Sequence, residues 1–170
     1  MFKVSIFGCG GRIISLLNNE LNKVLDNYNI DINEFRIVAI YDDNFYKVLE
    51  NLDDKYLNFK NMISSAKIYT DSDEETVYLE NDFDVSIIVS RNDKHYASLI
   101  LANKYNKSIF CEKPIVNTIK QVNMLLDNFK ERQSKLFFQT GLVLRYSNIC
   151  SESTKYLSQI GELIKVEGCE

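Results

Sequence analysis

The sequence predicts an α/β fold, a doubly wound parallel sheet, followed by the beginning of a second α/β domain. Three observations carry this expectation. Short apolar runs alternate with stretches of helical period along most of the chain, a glycine-rich turn follows the first run, and polar residues gather where the apolar runs end.

The elements follow in order. Residues 3–7 form an apolar run ending in glycine, which reads as a buried strand. Ile13, Ile14, Leu17, Leu21, Val24, Leu25 and Tyr28 recur at steps of three and four, the signature of one long amphipathic helix. After a polar connector at residues 31–34, a second buried strand covers residues 35–41 and ends at Asp42-Asp43-Asn44. Tyr46, Leu49, Leu52 and Tyr56 give a weak helical period between Phe45 and Ala66. Residues 67–70 read as a short strand, with Ser72 placed to cap the acidic helix after it. Residues 83–89 form the clearest strand of all. Ala97, Ile100, Leu101 and Tyr105 mark the next helix, with Asp93 as its N-cap. Residues 107–111 form another strand, running into Glu112-Lys113-Pro114. Thr118 caps a helix that carries Ile119, Val122, Leu125, Leu126 and Phe129 on one side, and residues 135–139 form a sixth strand. Such alternation means right-handed crossovers and a sheet covered on both faces. The first domain is therefore expected over residues 1–141. Residues 142–170 hold a helix from Arg145 to Ile160, a stop at Gly161 and a strand at residues 163–166, too little for a domain.

Bulk properties narrow the function. The 170 residues are 45% hydrophobic and 26% charged, ordinary values for a globular chain. A net charge of -4 with scattered Lys and Arg argues against nucleic acid or an anionic membrane as the main partner. The N-terminal apolar stretch is too short for a signal peptide, and no stretch is long enough for a membrane helix. Cys9, Cys111, Cys150 and Cys169 form no CxxC pair, and His95 is the single histidine, so no metal site is expected. Reduced thiols and a cytoplasmic location are the expectation.

Four groups of residues carry the chemistry. Gly8-Cys9-Gly10-Gly11-Arg12-Ile13 lies between a strand and a long helix, as pyrophosphate binding requires. The first glycine permits a tight turn, the second admits the phosphates to the backbone, and the helix N-terminus offers free N–H groups. A glycine-rich turn without ligand is the competing reading. Asp42, at the end of the second strand, suits the ribose hydroxyls of an adenosine and repels a 2′-phosphate, which favours NAD over NADP; Asp43 competes for the role. Ser90-Arg91-Asn92 follows the clearest strand, where Ser90 and Asn92 are placed for the nicotinamide-side ribose. His95, in the first turn of its helix, is either a further contact or structural. Glu112-Lys113-Pro114 ends the fifth strand, where Lys113 can bind a hydroxyl and assist its proton transfer while Glu112 tunes the ammonium. A cis bond is accessible before Pro114. An ordinary strand-end turn is the alternative there.

Together these motifs resemble the Gfo/Idh/MocA oxidoreductases, the glucose–fructose oxidoreductase and inositol dehydrogenase family. The resemblance rests on Gly8-Cys-Gly-Gly-Arg12, Val38-Ala-Ile-Tyr-Asp42, Asp84-Val-Ser-Ile-Ile-Val-Ser90 with His95, and Ile109-Phe-Cys-Glu-Lys-Pro114. Thr140-Gly-Leu-Val-Leu-Arg-Tyr146 is similar to that family's crossing into its second domain. The resemblance implies a Rossmann domain for NAD(P) and hydride transfer at a hydroxyl or carbonyl carbon, usually of a sugar, polyol or derivative. It also implies a lysine, here Lys113, near nicotinamide and substrate, and a second domain that supplies a catalytic histidine and most substrate contacts. Three features depart from the pattern. Ile13 replaces the third glycine, Arg91 stands where proline is usual, and the chain ends at Glu170 with that second domain barely begun. A strand exposed near the end invites self-association, so a homo-oligomer is expected.

Two other classes compete. A non-catalytic dinucleotide-binding module or redox-sensing partner subunit shares the glycine loop and differs in turnover. A methyltransferase also uses a glycine loop and an acid after the second strand, but the Glu112-Lys113-Pro114 turn argues against it.

Overall fold

The computed structural model describes residues 1–130, 132, 135–142, 152–153 and 155–156. The chain divides into two compact units, residues 1–140 and 141–170.

Six strands form the first unit's sheet: β1 (Phe2–Phe7), β2 (Phe35–Tyr41), β3 (Lys67–Tyr69), β4 (Val85–Ile88), β5 (Ser108–Cys111) and β6 (Phe138–Thr140). All pairs are parallel, in the order β3-β2-β1-β4-β5-β6. The chain winds outward from β1 to β3, returns to β4 beside β1, and winds outward the other way. This is the doubly wound Rossmann arrangement, and its order reverses between β1 and β4, where such sheets bind ligands. The helices are α1 (Gly11–Asn19), α2 (Leu21–Asn27), α3 (Phe45–Glu50), α4 (Leu57–Met62), α5 (Glu75–Glu80), α6 (His95–Lys104) and α7 (Ile119–Phe129).

The sheet has a hydrophobic layer on each face. One holds Val4, Ile6, Ile37 and Ile40 against Ile14, Leu17, Phe45 and Phe59. The other holds Phe7, Ala39, Ile88 and Ile109 against Tyr78, Leu99 and Ala102. Alternation along β2 skips a step, because the register with β1 shifts between Val4 and Ser5. Val38 is the extra residue, so Ile37 and Ile40 share one face while Ala39 and Tyr41 turn to the other.

The single long helix expected from Ile13 to Tyr28 is two helices broken at Glu20. The cause lies elsewhere in the chain. The Asn18 carbonyl accepts from Asn58 Nδ2 at 3.2 Å, and the buried Asn18 side chain bonds Lys55 O and Phe59 N. Past the break the face rotates: Leu25 stays buried, whereas Val24 and Tyr28 face solvent.

Other boundaries also move. The weak period between Phe45 and Ala66 is α3 and α4 separated by a 3-10 turn at Asp54–Tyr56. Ser72 does not cap α5, whose N-cap is Glu74; Asp73 instead accepts from the Glu75 N–H. Asp93 does not cap α6 either. A turn closed by Lys94 N–H on Arg91 O precedes the helix, and the buried face of α6 is His95, Ser98, Leu99 and Ala102. Thr118 does cap α7, accepting from Gln121 N–H at 3.2 Å. Of the stripe on α7 only Leu125 is buried and Phe129 partly so, while Ile119, Val122 and Leu126 are exposed.

In the second unit Glu152, Ser153, Lys155 and Tyr156 are helical, with Lys155 paired to Glu152 at 2.6 Å. The rest of the helix expected there, the stop at Gly161 and the strand at residues 163–166 lie outside the described residues. Among the described residues, no helix is long and apolar enough to cross a membrane.

Candidate functional site

At the reversal point the turns after β1 and β4 touch. Gly8 has φ +92°, and a Cβ there would lie 2.4 Å from Ser90 Cα. Only glycine lets the chain leave β1 against the end of β4. The Gly8 N–H donates to Tyr41 O at 2.8 Å, fixing the turn to β2 as well. Gly10 and Gly11 serve differently, because a Cβ on either would meet nothing within 4 Å. Gly10 is the extended N-cap of α1, and no side chain caps that helix. The first-turn N–H groups at Gly11, Arg12 and Ile13 have no acceptor within the helix, and its dipole favours an anion beside them.

The side chains of Cys9 and Ile13 are buried in the core. Burial, and then the Asp42 charge, pushes the Cys9 thiol up to about 12. Of these two, only the backbone is available to a ligand at Ile13. At Cys9 the N–H is already taken, donating to Asp42 Oδ2 at 2.6 Å. Asp42 Oδ1 accepts the Asn44 N–H at 2.7 Å. The carboxylate thus ties the glycine turn to the end of β2, and each oxygen keeps a lone pair.

A cavity of about 150 Å³ opens between these turns, walled by Phe7, Gly8, Tyr41, Asp42, Asp43, Asn44, Glu74, Ser90, Arg91, Lys94 and Ser98. Sequence reasoning missed Glu74, Lys94 and Ser98. Ser98 is buried on α6 and donates to Glu74 Oε2 at 3.0 Å, while Glu74 Oε1 is buried without a partner among the described residues. Burial pushes the Glu74 carboxyl up to about 7; Ser98 and Lys94 pull it down, and Asp73 and Asp43 push it further up. Ser90 Oγ is likewise buried and unpartnered. Arg91 lines the cavity with an exposed side chain, its Nε 3.2 Å from Asp93 Oδ1.

His95 requires a correction. Its side chain does not reach the cavity: the residue is 1% exposed, with Nδ1 2.7 Å from Pro114 O and Nε2 2.9 Å from Ser90 O. Both ring nitrogens are engaged by backbone carbonyls, so His95 braces the turn after β4 against the turn after β5.

The turn after β5 contains a cis bond at Lys113-Pro114. Glu112 Oε1 lies 3.5 Å from Arg12 Nε, and Glu112 Oε2 accepts the Lys113 N–H at 3.1 Å. Beneath the Arg12–Glu112 pair a smaller, mostly apolar cavity of about 70 Å³ is lined by Gly10, Arg12, Ile13, Leu16, Val89, Phe110 and Glu112. Burial, and then the Glu112 charge, pushes the Cys111 thiol up to about 12.

The two cavities divide the expected residues. Gly8, Asp42, Ser90 and Arg91 share the larger one, and Gly10, Arg12, Ile13 and Glu112 the smaller. Gly11 is exposed at the start of α1; Asn92 and Lys113 are exposed on their turns and line neither. Nothing in the local sequence marks Glu74, whose burial depends on α6; its place in an acidic run reads as a solvated helix start.

Open glycines, a bare helix N-terminus and a strand-end carboxylate are features that a dinucleotide fits. Fold and site define a nucleotide-binding domain of the doubly wound class. Residues 2–140 match the model of the Gfo/Idh/MocA oxidoreductase family with NAD-binding Rossmann fold, and the chain belongs to that family.

An inositol 2-dehydrogenase/D-chiro-inositol 3-dehydrogenase from Lacticaseibacillus casei is 30% identical over 82 residues, 48% of this chain and 23% of that protein. The crystal structure of myo-inositol dehydrogenase from Lactobacillus casei in complex with NAD(H) and myo-inositol superposes with TM-score 0.69 at 23% identity. That superposition covers 94% of this chain and 42% of the other. Myo-inositol 2-dehydrogenase from Lactobacillus plantarum gives 0.68 at 22% identity, over 96% and 43%. The chain thus spans less than half the length of these relatives.

Proposed function

We propose that this chain is the cofactor-holding part of an oxidoreductase that moves hydride at a CH–OH or carbonyl carbon of a sugar or polyol, with NAD preferred to NADP. The observation that supports this best is the Asp42 carboxylate bonded to the Cys9 N–H at 2.6 Å, beside the open backbone of Gly10 and Gly11. In that reading a pyrophosphate lies on the first turn of α1, held by the N–H groups of Gly11, Arg12 and Ile13. Asp42 accepts the ribose hydroxyls and repels a 2′-phosphate. Ser90 lies in the wall of the larger cavity, beside the glycine turn.

Nicotinamide, when bound, supplies or accepts the hydride. Lys113 then serves as the hydrogen-bonding and proton-transferring group for the substrate hydroxyl, and Asn92 as a ribose contact. Glu112 acts at one remove, joining the Lys113 backbone to Arg12. The buried Cys9 and Cys111 thiols suit a reduced, cytoplasmic setting. Sugar or polyol substrates fit the inositol dehydrogenases among the relatives.

Calorimetric titration with NADH and NADPH tests the reading. NADH is expected to bind more tightly, and Asp42→Ala to remove the preference. Equal affinity of the native chain for both would overturn the choice of NAD, and hydride transfer to a polyol by the purified chain separates an enzyme from a binding module.

A further inference from the structure

Glu74 stands half-buried in the wall of the larger cavity. One carboxyl oxygen accepts the buried Ser98 hydroxyl at 3.0 Å, and the other is sealed in the protein with no donor among the described residues. Groups from every neighbouring element face it: Asp43 from the turn after β2, Asp73 just before α5, Lys94 just before α6, and the Tyr41 and Tyr78 rings. Burial opposes ionisation most, Asp43 and Asp73 add to it, and the Ser98 hydroxyl and Lys94 offset only part. The carboxyl therefore exchanges its proton at about 7. The chain's one histidine, His95, is shut away from the cavity between Ser90 O and Pro114 O. A dinucleotide on the adjoining turns brings the negative charges of its diphosphate and displaces water from the cavity. Like charge and a drier surrounding both favour the neutral carboxyl.

We propose that cofactor binding here is proton-linked: Glu74 takes up a proton as the dinucleotide binds, so binding tightens as the solution becomes more acidic. The proposal rests on the dinucleotide reading above. The ligand need not touch the sealed oxygen, because charge acts through several ångströms of protein. Ser98 acts as a positioning residue through Glu74, and its hydrogen bond sets the pH at which the coupling is largest. Like charges roughly 10 Å apart at intermediate screening should raise the Glu74 proton affinity about threefold to tenfold. By linkage NADH should then bind about twofold to sixfold more tightly at pH 6.5 than at pH 8.5, with uptake of up to about half a proton near pH 7.5.

Calorimetric titration of the 170-residue chain with NADH, in buffers of low and high ionisation enthalpy at matched pH and ionic strength, reads that proton directly. NADH itself has no group that titrates in this range. The native chain is expected to show uptake that peaks near pH 7.5. Glu74→Gln should bind NADH without uptake and with the same affinity at both ends of the range. Ser98→Ala removes a hydrogen bond that favours the charged form, so it should move the peak to higher pH. A merely structural role would weaken binding at every pH and leave the peak in place. If Glu74→Gln does not fold, the sign in the native chain and the shift in Ser98→Ala carry the test.

No uptake by the native chain, release of a proton instead, or uptake that persists in Glu74→Gln overturns the proposal while NADH binding itself stands. Failure of the native chain to bind NADH overturns the dinucleotide reading and this proposal together.

Discussion

The carboxylate of Asp42 accepts the backbone N–H of Cys9 across 33 positions of sequence, so the residue suited to ribose also anchors the glycine turn. Asp42→Ala therefore has two separable consequences. Losing the acceptor for the Cys9 and Asn44 N–H groups should destabilise the fold by about 1–3 kcal/mol, measurable by denaturant titration. Losing the negative charge should remove discrimination against NADPH. Asp42→Asn keeps one carbonyl acceptor and should recover part of the stability but none of the discrimination. Loss of stability with the cofactor preference intact would limit Asp42 to its structural role.

Gly8 and Gly10 belong to one motif but should respond oppositely to alanine. At Gly8 the new methyl would meet Ser90 Cα at 2.4 Å, in a backbone of φ +92°. Strain and overpacking together should cost about 3 kcal/mol or more. At Gly10 the methyl enters open space with φ -81°, so Gly10→Ala should change stability by less than about 0.5 kcal/mol while weakening NADH binding. Urea unfolding and calorimetry on the two variants give four numbers. Equal destabilisation by both substitutions would contradict this division of labour.

His95 joins two turns, meeting Ser90 O five positions before it and Pro114 O 19 positions after it. His95→Ala leaves Ser90 O and Pro114 O without that partner in a buried place, and should lower stability by about 1–3 kcal/mol. Because the turns carrying Asn92 and Lys113 are braced through it, cofactor binding should weaken as well. Amide hydrogen exchange should show the loss of protection confined first to the turns after β4 and β5. Weakened cofactor binding with unaltered exchange there would instead give His95 a direct contact.

The fold was legible wherever the signal is local. Strands β1 and β2 are apolar runs ended by glycine or acid, β4 is one that stops at Ser90, and the turn at Gly8 and the cap at Thr118 are written in adjacent residues. What stayed hidden depends on partners distant in sequence. The break at Glu20 follows from Asn58 reaching the Asn18 carbonyl over 40 positions, and no pattern within the helix reports it. The period on α6 misled because the helix buries His95 and Ser98, polar residues that a hydrophobic stripe omits. The site divides in the same way. Gly8, Gly10 and Asp42 announce themselves by position after strands, whereas Glu74 is set apart from its acidic neighbours only once Ser98, 24 positions later, is packed beside it.

That burial makes Glu74 a source of pH dependence whose sign can be worked out. Its carboxyl stands at about 7 in the folded chain and near 4.3 in an unfolded one. Between those values the native state holds a proton that the unfolded state has released. Stability therefore falls as pH rises through that window and levels off above it. The full loss is on the order of 3 kcal/mol. The other groups facing Glu74 are Asp43 and Asp73, which raise its proton affinity, and Lys94, which lowers it. Glu74→Gln has no proton to lose. Its Tm should exceed that of the native chain by a margin that grows from pH 5 to pH 8, reaching several degrees for a chain of this size. Thermal melts of the two proteins across that range decide the matter, and parallel curves would mean that Glu74 is ionised throughout.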